Sequence, residues 1–157
     1  MRLDRTDFEI LRALQNDARL SNKELATRVG LAPSSCLERV RRLREGGVLR
    51  GFHADVAPEA VGVGLQAMIA IQLSRHSRAS FDSIRAHLLS RPEVVGLFHV
   101  AGRDDFLLHV AVRDSDHLRD LTWQSITTRP EIAHIETSVI FDHLKAPGWP
   151  MLADEAE

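Results

Sequence analysis

The 157-residue chain has a single cysteine, Cys36. One thiol cannot close an intrachain disulfide, so packing must hold the fold, and a reducing cytoplasm fits. No apolar run approaches the ~20 residues needed to cross a bilayer. The first ten residues, MRLDRTDFEI, lack the apolar stretch of a secretory leader. Enzyme signatures are missing too: there is no Gly-rich phosphate loop and no nucleophile elbow. Asp104 and Asp105 are sequence neighbours in a turn, so their side chains diverge and make no acid–base pair. No catalytic residue is assigned. The eight histidines (His53, His76, His87, His99, His109, His117, His134 and His143) contain no HxH or HxxxH pair, and no cysteine joins them. His99 and His109 fall on strands expected to pair, yet scattered histidines of this kind read as hydrogen-bonded structural residues. No metal and no cofactor is expected.

An overall excess of positive charge is also lacking. The net charge of −2 argues by itself against a nucleic-acid partner. Its distribution reverses that argument. Residues 1–50 carry 11 Arg/Lys against 7 Asp/Glu, whereas residues 51–157 carry 9 against 15. A basic N-terminal third on an acidic remainder suggests two domains with different partners. The apolar fraction of 44% and charged fraction of 27% suit a globular protein with real cores.

The basic third centres on Leu20–Arg50, LSNKELATRVGLAPSSCLERVRRLREGGVLR. Ser21 and Glu24 have the spacing of a capping box. Gly30 stands where a helix ends on a left-handed residue. Pro33, Ser34 and Ser35 open a second helix, Pro being tolerated in a first turn. There Leu37, Val40 and Leu43 are expected to form the buried stripe, with Arg39, Arg41, Arg42 and Arg44 projecting elsewhere. Residues 4–17 form an amphipathic helix capped by Asp4, with Phe8, Ile10, Leu11 and Leu14 on its apolar face. Three helices, at about 4–17, 21–29 and 34–45, thus make a helix-turn-helix unit. Gly46-Gly47 end the third. The alternation over residues 48–56 predicts a wing of one or two short strands bearing Arg50. Cys36 reads as a small buried residue rather than a redox switch.

From residue 65 the hydrophobic period changes. Strands are expected at 65–74, 94–101, 106–113 and 135–141, and helices at 80–90 and 115–128. Two Arg-Pro-Glu joints, at 91–93 and 129–131, mark two halves of an internal repeat. The order βαββαβ is a ferredoxin-like split βαβ. The expected fold class is therefore α+β: a winged helix-turn-helix over residues 1–52, a linker at 53–64, a ferredoxin-like domain at 65–145 and a mobile tail at 146–157. Trp123 reads as a core or interface anchor, and Trp149 as a tail residue able to pack on a neighbouring subunit.

With Leu3, Asp4, Asp7, Ile10, Leu11, Leu14, Gln15, Asp17, Arg19, Ser21, Glu24, Leu25, Ala26, Val29, Gly30, Leu31, Arg39, Val40, Leu43 and Gly47 in place, residues 3–145 resemble the Lrp/AsnC transcriptional regulators of bacteria and archaea. Ala32 stands where that family usually has Ser. The resemblance implies a cytoplasmic, nucleoid-associated homodimer, able to assemble to a tetramer or octamer. It would bind double-stranded DNA through one domain and a free amino acid through the other. Ser34, Ser35, Glu38 and Arg39 are expected at base edges, and Asn22, Lys23, Arg41, Arg42, Arg44 and Arg50 at phosphates. The turn Gly102-Arg103-Asp104-Asp105 offers both polarities that a zwitterion needs. The resemblance implies the effector site there, with His99, Ser138 and Ile140 facing it. Asp104 replaces the aromatic that the family commonly has in this turn. The alternatives are a sirohaem decarboxylase-like enzyme of haem biosynthesis, which shares the two-domain layout, and a stand-alone metabolite-binding module.

Overall fold

A computed structural model describes residues 2–74, 77–146 and 148–152. His76 and the end of the tail lie outside these. The chain forms two compact units. One comprises residues up to 55 together with those from 144 onward, and the other residues 56–143.

The first unit holds helices α1 (Arg5–Asn16), α2 (Asn22–Arg28) and α3 (Pro33–Glu45). Local chemistry fixes each end. Asp4 caps α1 and shares a reciprocal box with Asp7, and Ser21 does the same for α2 with Glu24. Gly30 (φ +68°) ends α2. Behind it Leu31 N–H donates to the Ala26 carbonyl and Gly30 N–H to that of Thr27, the two bonds of a Schellman motif. Gly47 (φ +70°) ends α3 in the same way, with Val48 N–H on the Leu43 carbonyl. Only α3 starts without a side-chain cap, because Ala32 has no oxygen to offer.

The core of this unit gathers Ile10, Leu11, Ala13, Leu14, Leu25, Ala26, Cys36 and Leu43. Cys36 is fully buried and Leu37 is 59% exposed, so the inner stripe of α3 is Cys36–Val40–Leu43 rather than Leu37–Val40–Leu43. Both spacings suit a helix; contact with α1 and α2 selects the first. Burial pushes the Cys36 thiol pKa up, the opposite of a reactive thiolate. The expected wing strands are not formed: residues 48–57 take no strand conformation. Described residues from 145 to 151 make contacts with the helical unit. Trp149 N–H donates to Gln15 Oε1, Lys145 pairs with Asp55 at 3.3 Å, and Met151 packs on the helical core. The Trp149 ring itself is exposed.

The second unit is a four-stranded antiparallel sheet of β1 (Leu65–Leu73), β2 (Val94–His99), β3 (Phe106–Val112) and β4 (Ile132–Ile140), in the order β2-β3-β1-β4. Helix α4 (Arg78–Leu89) lies between β1 and β2, and α5 (Ser115–Leu121) between β3 and β4. A π-helical turn, Thr122–Ile126, extends α5 and leaves Trp123 exposed rather than buried. Both helices cover one sheet face. Ile84, Leu88, Leu118, Leu121 and Ile126 pack there on Ala67, Ile69, Ile71, Leu73, Phe106, Leu108, Val110 and Val112. The two Arg-Pro-Glu joints fold alike: Val94 N–H reaches the Arg91 carbonyl and Ile132 N–H that of Arg129. The Glu93 and Glu131 carbonyls each cap a neighbouring strand, through Ala111 and Ser74 N–H. The repeat read in the sequence is therefore a structural one.

Candidate nucleic-acid interface and ligand site

The solvent side of α3 carries Ser34, Leu37, Glu38, Arg41 and Arg44, all exposed. They recur at three- and four-residue spacing, as a single helical face requires. Arg41 donates to Glu38 at 2.8 Å and lies 4.0 Å from Glu45. Ser35 flanks this stripe, and Lys23 and Arg50 are exposed on α2 and on the segment after α3. Asn22 is engaged within the unit: its amide donates to the Pro33 carbonyl at 2.7 Å, tying α2 to the first turn of α3.

Arg39 and Arg42 point elsewhere. Asp7 of α1 is fully buried and accepts from Arg39 Nη1 at 2.9 Å and Arg42 Nη2 at 2.6 Å. Arg39 also reaches both oxygens of Asp4, at 2.9 and 2.7 Å. The hydrogen bond from Arg39 holds the Asp4 carboxyl below its usual pKa range, and Asp4 and Asp7 raise that of Arg39. Arg39, expected at a base edge, has its guanidinium engaged here in locking α3 to α1. A carboxylate buried beneath a helix demands such a partner, and no local pattern reveals a pairing 32 residues apart. Arg42, with 47% of its side chain exposed, keeps a face to solvent.

The ligand-site residues divide by sheet face. In register, Met68 pairs with Ser138, Gln66 with Ile140, and Phe106 with His99. Ser138 and Ile140 thus lie on the face that α4 and α5 leave open. His99 lies on the other face, its ring 4.8 Å from Phe81 of α4 and 5.2 Å from Phe106. His99 therefore does not join Ser138 and Ile140, because the relative phase of different strands follows from pairing and not from either strand alone.

The β2–β3 turn is more tightly bound than a bare loop. Gly102 adopts φ +140°, a conformation open to glycine. Asp105 accepts from Leu73 N–H at 2.8 Å, which fastens the turn to the end of β1. Asp104 accepts from the Gln72 amide at 3.0 Å, and Arg103 bridges to Glu136 of β4 at 2.7 Å, which raises its pKa. Gln72 and Glu136 belong to the open face, so Arg103, Asp104, Glu136 and Ser138 form a charged end to that surface. Gln66 and Glu136 are site-region residues that the sequence did not flag. On the same face His109 is buried against the Gln66 amide at 2.9 Å and the His143 ring at 5.4 Å.

Comparisons with known proteins agree with this geometry. Residues 3–50 match a winged helix-turn-helix DNA-binding model, and residues 66–150 match the Lrp/AsnC ligand binding domain. The chain is 48% identical over 143 residues to the HTH-type transcriptional regulator AldR of Mycolicibacterium smegmatis, covering 91% of this chain and 84% of that one. It is 35% identical to the leucine-responsive regulatory protein of Escherichia coli, covering 91% and 87%. Among solved structures it resembles a transcriptional regulator of Neisseria meningitidis in complex with L-Met. That match has a TM-score of 0.84 and 32% identity, over 92% of this chain and 93% of that one. Helix-turn-helix unit, four-stranded ferredoxin-like unit and relatives concur: the chain belongs to the Lrp/AsnC family of DNA-binding transcriptional regulators.

Proposed function

We propose that this regulator controls genes of amino-acid metabolism or transport, and that a free amino acid modulates it by binding at the open-face end of the ferredoxin-like unit. One observation carries the reading: the β2–β3 turn gathers Arg103, Asp104 and Glu136 beside a left-handed glycine, on the sheet face that α4 and α5 leave open. A zwitterion needs a cation for its carboxylate and an anion for its ammonium within one small site. In the isolated chain these groups neutralise each other, so a ligand competes with the Arg103–Glu136 pair. A solvent-exposed pair of this kind is weakly held and easily displaced. The relative bound to L-Met supports the ligand class. The open face, with Ser138 and Ile140, suits a second copy of the chain and so a homodimer or a larger assembly.

On DNA, Ser34, Ser35 and Glu38 are proposed at base edges. Lys23, Arg41, Arg44 and Arg50 are proposed at phosphates, with Arg42 through its exposed side. Asn22 and Arg39 hold the geometry from within the unit. Two such helices in a dimer need half-sites one turn of duplex apart, ~34 Å. A ligand changes this only through differential affinity for two assemblies. Calorimetry of the full chain with each of the twenty amino acids, against Arg103→Ala, tests the site. Heat from one or a few amino acids, lost in the variant, is expected. Equal heats in both proteins would remove Arg103 from the site.

A further inference from the structure

Leu37 is the anomaly of α3. It is 59% exposed on a helix whose other outward residues, beyond Pro33 in the first turn, are polar or charged. Helical spacing sets it beside Ser34 (three residues before) and Arg41 (four after), in the middle of the face proposed for the major groove. It fills no core, since the inner stripe is complete with Cys36, Val40 and Leu43. Meanwhile Arg39, the side chain best suited to bidentate contact with guanine, is bound by Asp4 and Asp7. Arg42 shares Asp7, and the outward Arg41 is paired with Glu38. What α3 presents at its centre is thus one apolar group flanked by hydroxyls and the paired Glu38 and Arg41.

The major groove displays one apolar group, the 5-methyl of thymine. We infer that Leu37 is a specificity-determining contact that reads a thymine methyl in each half-site. Leu37 then carries an apolar part of the readout, while Ser34, Ser35 and Glu38 supply its polar part. Glu38, held by Arg41, can accept from the amino group of cytosine. The inference rests on the DNA-binding reading of α3 given above. It makes the preferred half-site depend on a methyl rather than on a guanine.

The test uses the full chain and its highest-affinity sequence, selected from random duplex. Each thymine is replaced singly by deoxyuridine, which deletes the methyl and leaves base pairing unchanged. Burying one methyl is worth ~0.8 kcal/mol, so about a fourfold loss of affinity is expected at one position per half-site. Leu37→Met should keep that penalty. Leu37→Ala should bind the thymine site about fourfold more weakly and show no further loss with deoxyuridine. Sequence-selective binding with no methyl-sensitive position, or the same penalty in Leu37→Ala, would overturn the role of Leu37 alone. Absence of any sequence preference in the unaltered chain would overturn the DNA-reading role of α3, and this inference with it.

Discussion

Asp7→Asn is the most informative single change in the N-terminal unit. Asp7 is fully buried and accepts three hydrogen bonds, from Arg39, Arg42 and the Asp4 N–H. Asparagine keeps the shape, but it loses the charge and turns an N–H2 group toward one arginine. Breaking a fully buried pair costs ~3–5 kcal/mol. Here the arginines are 28% and 47% exposed, and Asp4 still holds Arg39. The cost should therefore fall to about 2–3 kcal/mol, near that of losing charge-assisted hydrogen bonds. At ~1.4 kcal/mol per tenfold, that is roughly a 30- to 160-fold rise in the opening of this unit. Hydrogen exchange of the full chain, read by mass spectrometry segment by segment, resolves it. Amides of α1 and α3 should lose that much protection while those of β1 and β3 keep theirs. Less than a threefold change in α3 would refute the claim that this carboxylate clamps α3 onto α1.

Other outcomes follow from the same geometry. Arg39→Ala should weaken specific and random DNA by the same factor in gel shifts, since Arg39 acts by positioning α3; a selective loss on specific DNA would restore it to the base edges. Asp4 has a depressed folded pKa, so its stabilisation is complete above the ordinary carboxylate value near ~4 and is lost as pH falls through the lower folded value. Acid titration should therefore unfold the helical unit less steeply below about pH 4 in Asp4→Asn than in the unaltered chain; identical acid limbs would deny the Asp4–Arg39 bond its role. Ala32→Ser supplies the missing cap of α3 and should stabilise the helical unit by about 0.5–1 kcal/mol in denaturant titration, whereas no gain would mean the cap geometry is unsuitable. Arg44→Ala should lower the slope of log affinity against log salt by about one, the mark of one lost phosphate contact.

The features legible in the sequence are those that local chemistry decides. Ser21 with Glu24, Gly30, and Gly46-Gly47 each act within one turn of chain, and each behaves as its residue type requires. The strand and helix order of the ferredoxin-like unit follows from hydrophobic period alone, and both Arg-Pro-Glu joints mark their turns. What stayed hidden were choices that only tertiary contact can make. Cys36 and Leu37 are adjacent, and either completes a stripe with Val40 and Leu43; packing on α1 and α2 decides between them. Arg39 on a charged helix resembles any base-reading arginine until the buried Asp7 is seen beneath it. His99 and Ser138 sit on different strands, so their faces depend on register. The segment 48–57 alternates like a strand but finds no pairing partner. Asp105, expected at the effector site, also holds Leu73 N–H, a bond that only the folded turn reveals.

In the proposed mechanism an amino acid at the ferredoxin-like unit governs how the helix-turn-helix unit engages DNA. Footprinting of the full chain on its own selected sequence, with and without the amino acid that gives heat in calorimetry, tests it most directly. The expected result is a footprint that changes in length or half-site spacing on adding that amino acid, with Arg103→Ala keeping the ligand-free footprint throughout. A footprint identical under both conditions, at saturating ligand, would contradict it.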